Sequence, residues 1–423
     1  MAVSTATVAR ICAAAKDASR VLKRLDTETK NAALHAMADA LLAREAEILE
    51  ANERDLEAGR AASLSAALMD RLELTPERLA GIASDVRGVA ALPDPVGEVI
   101  TGRRIATGLD MKQVREPLGV VAVVYEARPN VTIDCSALCL KSGNAIVLRG
   151  SSSAQHSNAV LAGVAAEAVA SVGLPAASVS IVAGGDRDEL RQLATQEGVV
   201  DLIIPRGGEG LKHALKEHAT VPVLYAASGN CHLFVDSSAD LDKAVDIAIN
   251  AKVQRPGVCN SIETLVVHSD VAASYLPRVL SEMRVRGVEL RVDGRTKALA
   301  GPLADSLLDA TEEDWATEFH ALILAVRVVD SAEEAIEHVN QWSSGHSEGI
   351  VTGSTSVARR FAQDVDAAAV YVNASTRFTD GAQFGMGAEI GNSTQKLHAR
   401  GPIGLRELCT YKYVVEGDGQ VRP

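Results

Sequence analysis

The sequence predicts an α/β protein built on two doubly wound parallel sheets, and three observations carry that expectation. From residue 118 onward, short apolar runs recur between helical stretches, as strands covered on both faces require. The alternation resumes after residue 240 and continues to 375. Ala, Val, Leu and Gly dominate while aromatics are only 3%, which suits helices packed closely on a parallel sheet. At 423 residues the chain has room for two or three domains, each with its own core.

The elements follow in order. Residues 4–91 read as helices, with Leu34, Met37, Ala38, Leu41 and Leu42 on one face. Thr75-Pro76-Glu77 places an N-cap, a first-turn proline and a first-turn acid in the favoured order. Leu92-Pro93-Asp94-Pro95 closes this region, and 97–117 alternates around Gly102 and Gly108 as a hairpin. Strands are expected at 118–124, 145–148, 179–182, 202–204, 221–224 and 233–235, with helices at 154–172, 186–197 and 208–217. In the second block a helix follows Leu241, strands lie at 264–267 and 321–329, and a helix covers 331–341. Strands at 349–351, 369–372 and 409–415 complete the chain.

Several function classes are excluded or disfavoured. The net charge is −13 and no basic cluster stands against it, so non-specific nucleic-acid binding is not expected. Cys12, Cys135, Cys139, Cys231, Cys259 and Cys409 make no disulfide framework, and neither they nor the ten histidines show metal-ligand spacing. The first 17 residues lack a signal-peptide core, and no uncharged apolar stretch is long enough to span a membrane. A cytoplasmic protein without metal is the expectation.

The chemistry centres on Gln254-Arg255-Pro256-Gly257-Val258-Cys259-Asn260. Pro256-Gly257 forces a bend, and a thiol held there projects into a cleft. A helix starting near Asn260 would add a positive dipole end favouring the thiolate. A buried, inert cysteine is the commoner alternative.

Two strand ends carry phosphate-binding residues. Leu148-Arg149-Gly150-Ser151-Ser152-Ser153 offers a cation and hydroxyls at the carboxyl end of a strand, and Pro205-Arg206-Gly207-Gly208-Glu209-Gly210 opens a helix with small residues. Each alone also reads as an ordinary strand-to-helix turn. No Asp or Glu follows the Arg149 strand end before Glu167, so a carboxylate selecting the bare ribose is not expected there, which favours NADPH. Tyr125-Glu126-Ala127-Arg128-Pro129-Asn130 ends a further strand. Asn130 there is suited to an oxyanion and Arg128 to an anionic group, with an Asx-turn as the local alternative.

From about residue 100 to its end the chain resembles the aldehyde dehydrogenase superfamily and, within it, the glutamate-5-semialdehyde dehydrogenase family. The residues carrying this are Arg115-Glu116-Pro117-Leu118-Gly119-Val120, Tyr125 to Asn130, Lys141-Ser142-Gly143-Asn144, Arg255 to Asn260, and Val372-Asn373-Ala374-Ser375-Thr376-Arg377-Phe378. The resemblance implies an aldehyde dehydrogenase-like fold in which 1–96 and 118–230 bind the cofactor and 231–385 form the catalytic domain. It implies an oligomerisation element from 97–117 and 400–423, in a homodimer or larger homo-oligomer. Cys259 falls on the nucleophile and Asn130 on the oxyanion donor. Arg149, with Ser151 beside it, falls on the cofactor ribose. Gly207 and Gly208 fall under the pyrophosphate, and Glu318 on the nicotinamide ribose. Arg128 and Arg377 are the candidate substrate-binding cations.

Ala227 falls where hydrolytic members carry a general-base glutamate, and an acyl-phosphate reductase has no use for such a base. The activity implied is NADPH-dependent reduction of L-glutamate 5-phosphate with release of phosphate, with glutamate 5-kinase as a possible associate. The rivals are a CoA-acylating or ordinary aldehyde dehydrogenase, and a non-catalytic scaffold of the same fold.

Overall fold

A computed structural model describes residues 7–182, 186–225 and 228–422. The chain divides into two compact units. One comprises Met1–Tyr225, Met386–Gly391 and Ile403–Pro423; the other comprises Ala226–Gly385 and Asn392–Pro402.

The first unit opens with helices Val8–Leu22, Thr27–Ala43, Glu45–Ala61, Ala66–Leu72 and Pro76–Ala91. Their starts are set by side-chain caps: Asp26 accepts from the Thr29 N–H at 2.8 Å, and Thr75 from the Arg78 N–H at 3.2 Å with Pro76 in the first turn. Leu34, Met37, Ala38 and Leu41 are buried as the helical period requires. Leu42 is not: it lies one step round the helix and is 39% exposed.

The hairpin is β1 (Val99–Arg104) and β2 (Asp110–Pro117). Four parallel strands follow, β3 (Val120–Tyr125), β4 (Ala145–Arg149), β5 (Val179–Ile181) and β6 (Leu202–Arg206), in the order β5-β4-β3-β6. Val120 to Val124 are all buried, because helices cover both faces of this sheet. Helices Asn130–Lys141, Gln155–Ser171, Arg187–Ala194 and Glu209–His218 make the crossovers. The strand expected at 221–224 is absent. Pro222 has no N–H to give, and the pairing stops after Ile203 N donates to Pro222 O and Leu224 N to Ile203 O, each at 2.9 Å.

The second unit is a seven-stranded parallel sheet: β7 (Cys231–Val235), β8 (Ile262–His268), β9 (Glu289–Val292), β10 (Leu308–Asp309), β11 (Ile323–Val329), β12 (Ser347–Val351) and β13 (Ala369–Val372). Their order is β10-β9-β11-β8-β7-β12-β13. Helices Leu241–Val253 and Ser269–Val285 pack one face around a core that includes Leu233, Leu265, Tyr275, Leu280 and Val326. On the other face, Phe234 stacks on Phe361 with ring centroids 6.3 Å apart. A short pair, β14 (Asn392–Ser393) and β15 (Gly401–Pro402), belongs to the same unit. β16 (Cys409–Glu416) returns to the first unit and pairs antiparallel with β2 over its full length, giving the three-stranded sheet β1-β2-β16. Among the described residues, no helix is long and apolar enough to cross a membrane.

Candidate active site

In the second unit the nucleophile turn links helix Leu241–Val253 to β8. Ser261 N donates to Val258 O at 3.0 Å, closing a turn from which β8 leaves directly. No helix begins at Asn260, so the condition under which a helix dipole would act on this thiol is not met. The turn sits instead at the amino ends of β7 and β8. Gly229 lies against it so tightly that a Cβ there would overlap the Cys259 carbonyl, and Cys231 Sγ donates to that carbonyl at 3.2 Å.

Cys259 is half-buried, whereas Cys12, Cys135, Cys139, Cys231 and Cys409 are buried. Burial pushes the Cys12 thiol up to about 11 and those of Cys135 and Cys409 up to about 12, and holds Cys139 and Cys231 well above the usual range. Those five are inert at neutral pH, which leaves Cys259 as the accessible thiol.

Asn260 ties the turn to a second loop. Its amide Nδ2 donates to Thr379 O at 2.8 Å and Arg377 O at 3.3 Å, while Thr376 Oγ1 donates to Asn260 O at 2.6 Å. Arg377 is thereby brought to the nucleophile turn, and its Nε donates to Gln254 Oε1 at 2.8 Å. Its guanidinium is driven below the usual range by burial and by the neighbouring Arg255, against the pull of Asp380 and of the Cys259 and Cys231 thiols.

Behind the turn lies a fully buried ion pair, Lys252 Nζ to Glu263 Oε2 at 2.5 Å. Burial pushes Glu263 up to about 7 and Lys252 down, with Glu318 within electrostatic reach of both. Glu318 itself is 13% exposed and lies 3.4 Å from His320 Nε2 through Oε2. Its Oε1 is buried with no hydrogen-bond partner among the described residues.

In the first unit three segments meet at the carboxyl edge of the sheet, beside the β3–β6 boundary where the strand order reverses. Asn130 is the first residue of its helix, and its Nδ2 donates to Asp134 Oδ2 at 2.8 Å. Arg128 is exposed two residues before it. Gly208 is the N-cap of Glu209–His218, and no side chain caps that end; its N–H donates to Glu126 Oε1 at 3.2 Å. Arg149 ends β4, where its Nη2 donates to Asp186 O at 3.0 Å and its buried Nε has no partner among the described residues. Ser151 Oγ bonds Ser153 Oγ at 2.6 Å.

These residues fit a nicotinamide dinucleotide. In the first unit, the orphaned Arg149 Nε awaits an acceptor. A Cβ on Gly208 would meet nothing within 4 Å, so the uncapped helix start is open to a phosphate. Among the described residues no group of three His, Cys, Asp or Glu is placed to hold a metal ion.

Several residues escaped the sequence reading. Asp134 was legible as the i+4 neighbour of Asn130. Glu126 and Arg255 lay inside motifs already singled out, without any sign of their contacts. Asp186 and Glu189 act electrostatically on Arg149, so carboxylates do flank this strand end, supplied by a later crossover. Lys141 and Asn144, in a motif shared with the family, are structural. Lys141 Nζ donates to Ala90 O at 2.7 Å, and Asn144 joins Gly119 N to Leu408 O, each at 2.8 Å. Ala227, the position matched to the hydrolytic base, lies outside the described residues.

Comparison with known proteins identifies the family. The aldehyde dehydrogenase family model matches residues 1–306 and 306–414. A gamma-glutamyl phosphate reductase of Thermobifida fusca is 51% identical over 98% of both chains. One from Heliobacterium modesticaldum is 53% identical over 96% of this chain and 97% of its own. The crystal structure of gamma-glutamyl phosphate reductase from Thermotoga maritima superposes with a TM-score of 0.96 at 46% identity, covering 99% of this chain and 100% of that one. The family is one of nicotinamide-dependent oxidoreductases. The chain belongs to the aldehyde dehydrogenase family and, within it, to the gamma-glutamyl phosphate reductases.

Proposed function

We propose that the protein reduces L-glutamate 5-phosphate to L-glutamate 5-semialdehyde, releasing phosphate and using NADPH, as the second step of proline biosynthesis from glutamate. The observation that carries this reading is Cys259: a half-buried thiol on the Pro256-Gly257 bend, within electrostatic reach of Arg377. A cation beside a thiol favours its nucleophilic form.

The Cys259 sulfur attacks the acyl carbon. A C–S bond forms, the C–O bond to phosphorus breaks, and its electron pair leaves with phosphate. The Asn130 amide, oriented by Asp134, donates a hydrogen bond to the carbonyl oxygen as it gains charge. When bound, the cofactor supplies the hydride that takes the resulting thioester to the aldehyde level. The C–S bond then breaks and the thiolate is restored. Arg149, Ser151 and the Gly207-Gly208 turn would hold the phosphates of the cofactor, Glu318 its nicotinamide ribose, and Arg128 and Arg377 the substrate. The residue matched to the hydrolytic base is an alanine, Ala227, which preserves the thioester from water.

The chain acts as a homo-oligomer in the cytoplasm, beside the kinase that makes its unstable substrate. A spectrophotometric assay run in reverse tests the reading: semialdehyde with NADP should give NADPH when phosphate is supplied. Equal or faster turnover with CoA in place of phosphate would assign the chain to the CoA-acylating class instead.

A further inference from the structure

Two arginines stand together at the nucleophile turn, and among the described residues neither forms a salt bridge with a carboxylate, although Asp380 acts on Arg377 electrostatically. Arg44, Arg78, Arg115, Arg291, Arg295 and Arg360 each lie within 4.0 Å of an Asp or Glu oxygen. Arg377 instead bonds the neutral Gln254 amide oxygen, and after burial the charge of Arg255 is what most lowers its guanidinium. Arg255 is exposed, and among the described residues neither arginine forms an ion pair. In a chain of net charge −13, two cations left side by side are suited to receive an anion. The arrangement is also held in place. Asn260, only 4% exposed, fixes the Thr376–Phe378 turn that bears Arg377 to the turn that bears Arg255 and Cys259.

We propose that Arg255 and Arg377 form the seat of the phosphate that leaves the acyl carbon, with Asn260 as the residue that positions the pair. This rests on the reading given under Proposed function. The substrate carries two anionic groups, and chemistry chooses between them. The phosphorus is two bonds from the carbon that sulfur attacks, whereas the α-carboxylate carbon is four bonds away. Arg377 is within electrostatic reach of Cys259 itself, which places the seat beside the attacked carbon. When the C–O bond breaks, its electron pair adds a negative charge to the departing phosphate. Two guanidinium forks answer that charge as it develops. In the reverse direction the same seat holds phosphate while its oxygen attacks the thioester and sulfur leaves.

Two measurements on the full chain test the seat. Because the other described cysteines are buried, iodoacetamide alkylation reports on Cys259. Inorganic phosphate should slow that alkylation in the wild type. Arg255→Gln and Arg377→Gln should each need about tenfold more phosphate for equal protection, the loss of roughly one charge-assisted contact. In the reverse assay the KM for phosphate should rise by a similar factor, with the KM for semialdehyde within about twofold. Arg377→Lys, which keeps the charge without the fork, should fall between and serves if Arg377→Gln does not fold.

Unchanged protection and unchanged phosphate KM in the glutamine variants would overturn the proposal. So would a rise confined to the semialdehyde KM, which would assign the pair to the α-carboxylate. If the wild type shows no phosphate-dependent turnover, the functional reading fails, and the protection experiment still decides whether the two arginines bind phosphate.

Discussion

Asn130 Nδ2 donates to Asp134 Oδ2 at 2.8 Å, one helical turn apart at the start of Asn130–Lys141. The bond fixes which way the amide faces and leaves its second N–H free for an oxyanion. Burial pushes the Asp134 carboxyl up to about 6 from 3.8; the Asn130 hydrogen bond and Arg206 oppose this, and Asp85 adds to it. Because the folded value is raised, the stability this group contributes is full below 3.8 and is lost as pH rises through about 6. Asp134→Leu should therefore lower kcat about tenfold by freeing the amide, while its melting temperature gains on the wild type as pH rises from 3.8 to about 6 and gains little more above that. An unchanged kcat would remove Asp134 from the mechanism.

In the proposed function Arg149 sets cofactor choice, but not alone. Burial holds its guanidinium below the usual range, and Glu189 and Asp186 partly answer its charge. NADPH should still be preferred over NADH. Glu189→Gln should raise kcat/KM for NADPH about threefold by removing a charge that repels a 2′-phosphate, and Arg149→Met should lower it more than about tenfold. Equal kcat/KM for the two cofactors in the wild type would reject the assignment.

The ion pair behind the nucleophile turn is a liability if halved. Lys252 and Glu263 are fully buried, so Glu263→Gln leaves the ammonium without its bonded counter-charge, only Glu318 remaining within electrostatic reach. It should destabilise the protein by about 3–5 kcal/mol, whereas Lys252→Met combined with Glu263→Leu should lose far less. Urea unfolding of the three proteins checks this; equal losses in the single and double variants would contradict it.

The sheet β1-β2-β16 presents Val99, Tyr411, Tyr413 and Val415 to solvent, each at least half exposed. Both its edge strands are open, a state that association relieves. Light scattering after size exclusion should find the full chain at a multiple of 44.3 kDa, and Tyr411→Lys with Tyr413→Lys at one. Deleting 408–423 removes the strand paired along all of β2 and should give unstable monomers or aggregates. A wild type that runs as a stable monomer at micromolar concentration would end the proposal.

The strands were legible wherever an apolar run was long and both faces were covered, as at Val120–Tyr125 and Ile262–His268. Ser269–Val285 went unassigned because Pro277 sits inside it and reads as a breaker, and Glu289–Val292 because four residues give no period. The Pro-Gly bend did mark the one cysteine that is not buried, yet a strand rather than a helix follows it, so no helix dipole is supplied there. Arg255 beside Arg377, and Asp186 and Glu189 beside Arg149, arise from packing between segments far apart in the chain. No local pattern encodes such pairs. Asn130 with Asp134 is the exception, being one turn apart.

The central claim is that the Cys259 sulfur carries the acyl group. Cys259→Ser keeps the shape of the side chain but is hardly ionised at neutral pH. Phosphate-dependent formation of NADPH from semialdehyde and NADP should fall below about 1% of wild type, while cofactor binding and melting temperature stay nearly unchanged. A Cys259→Ser protein retaining more than a few per cent of wild-type turnover would contradict the account.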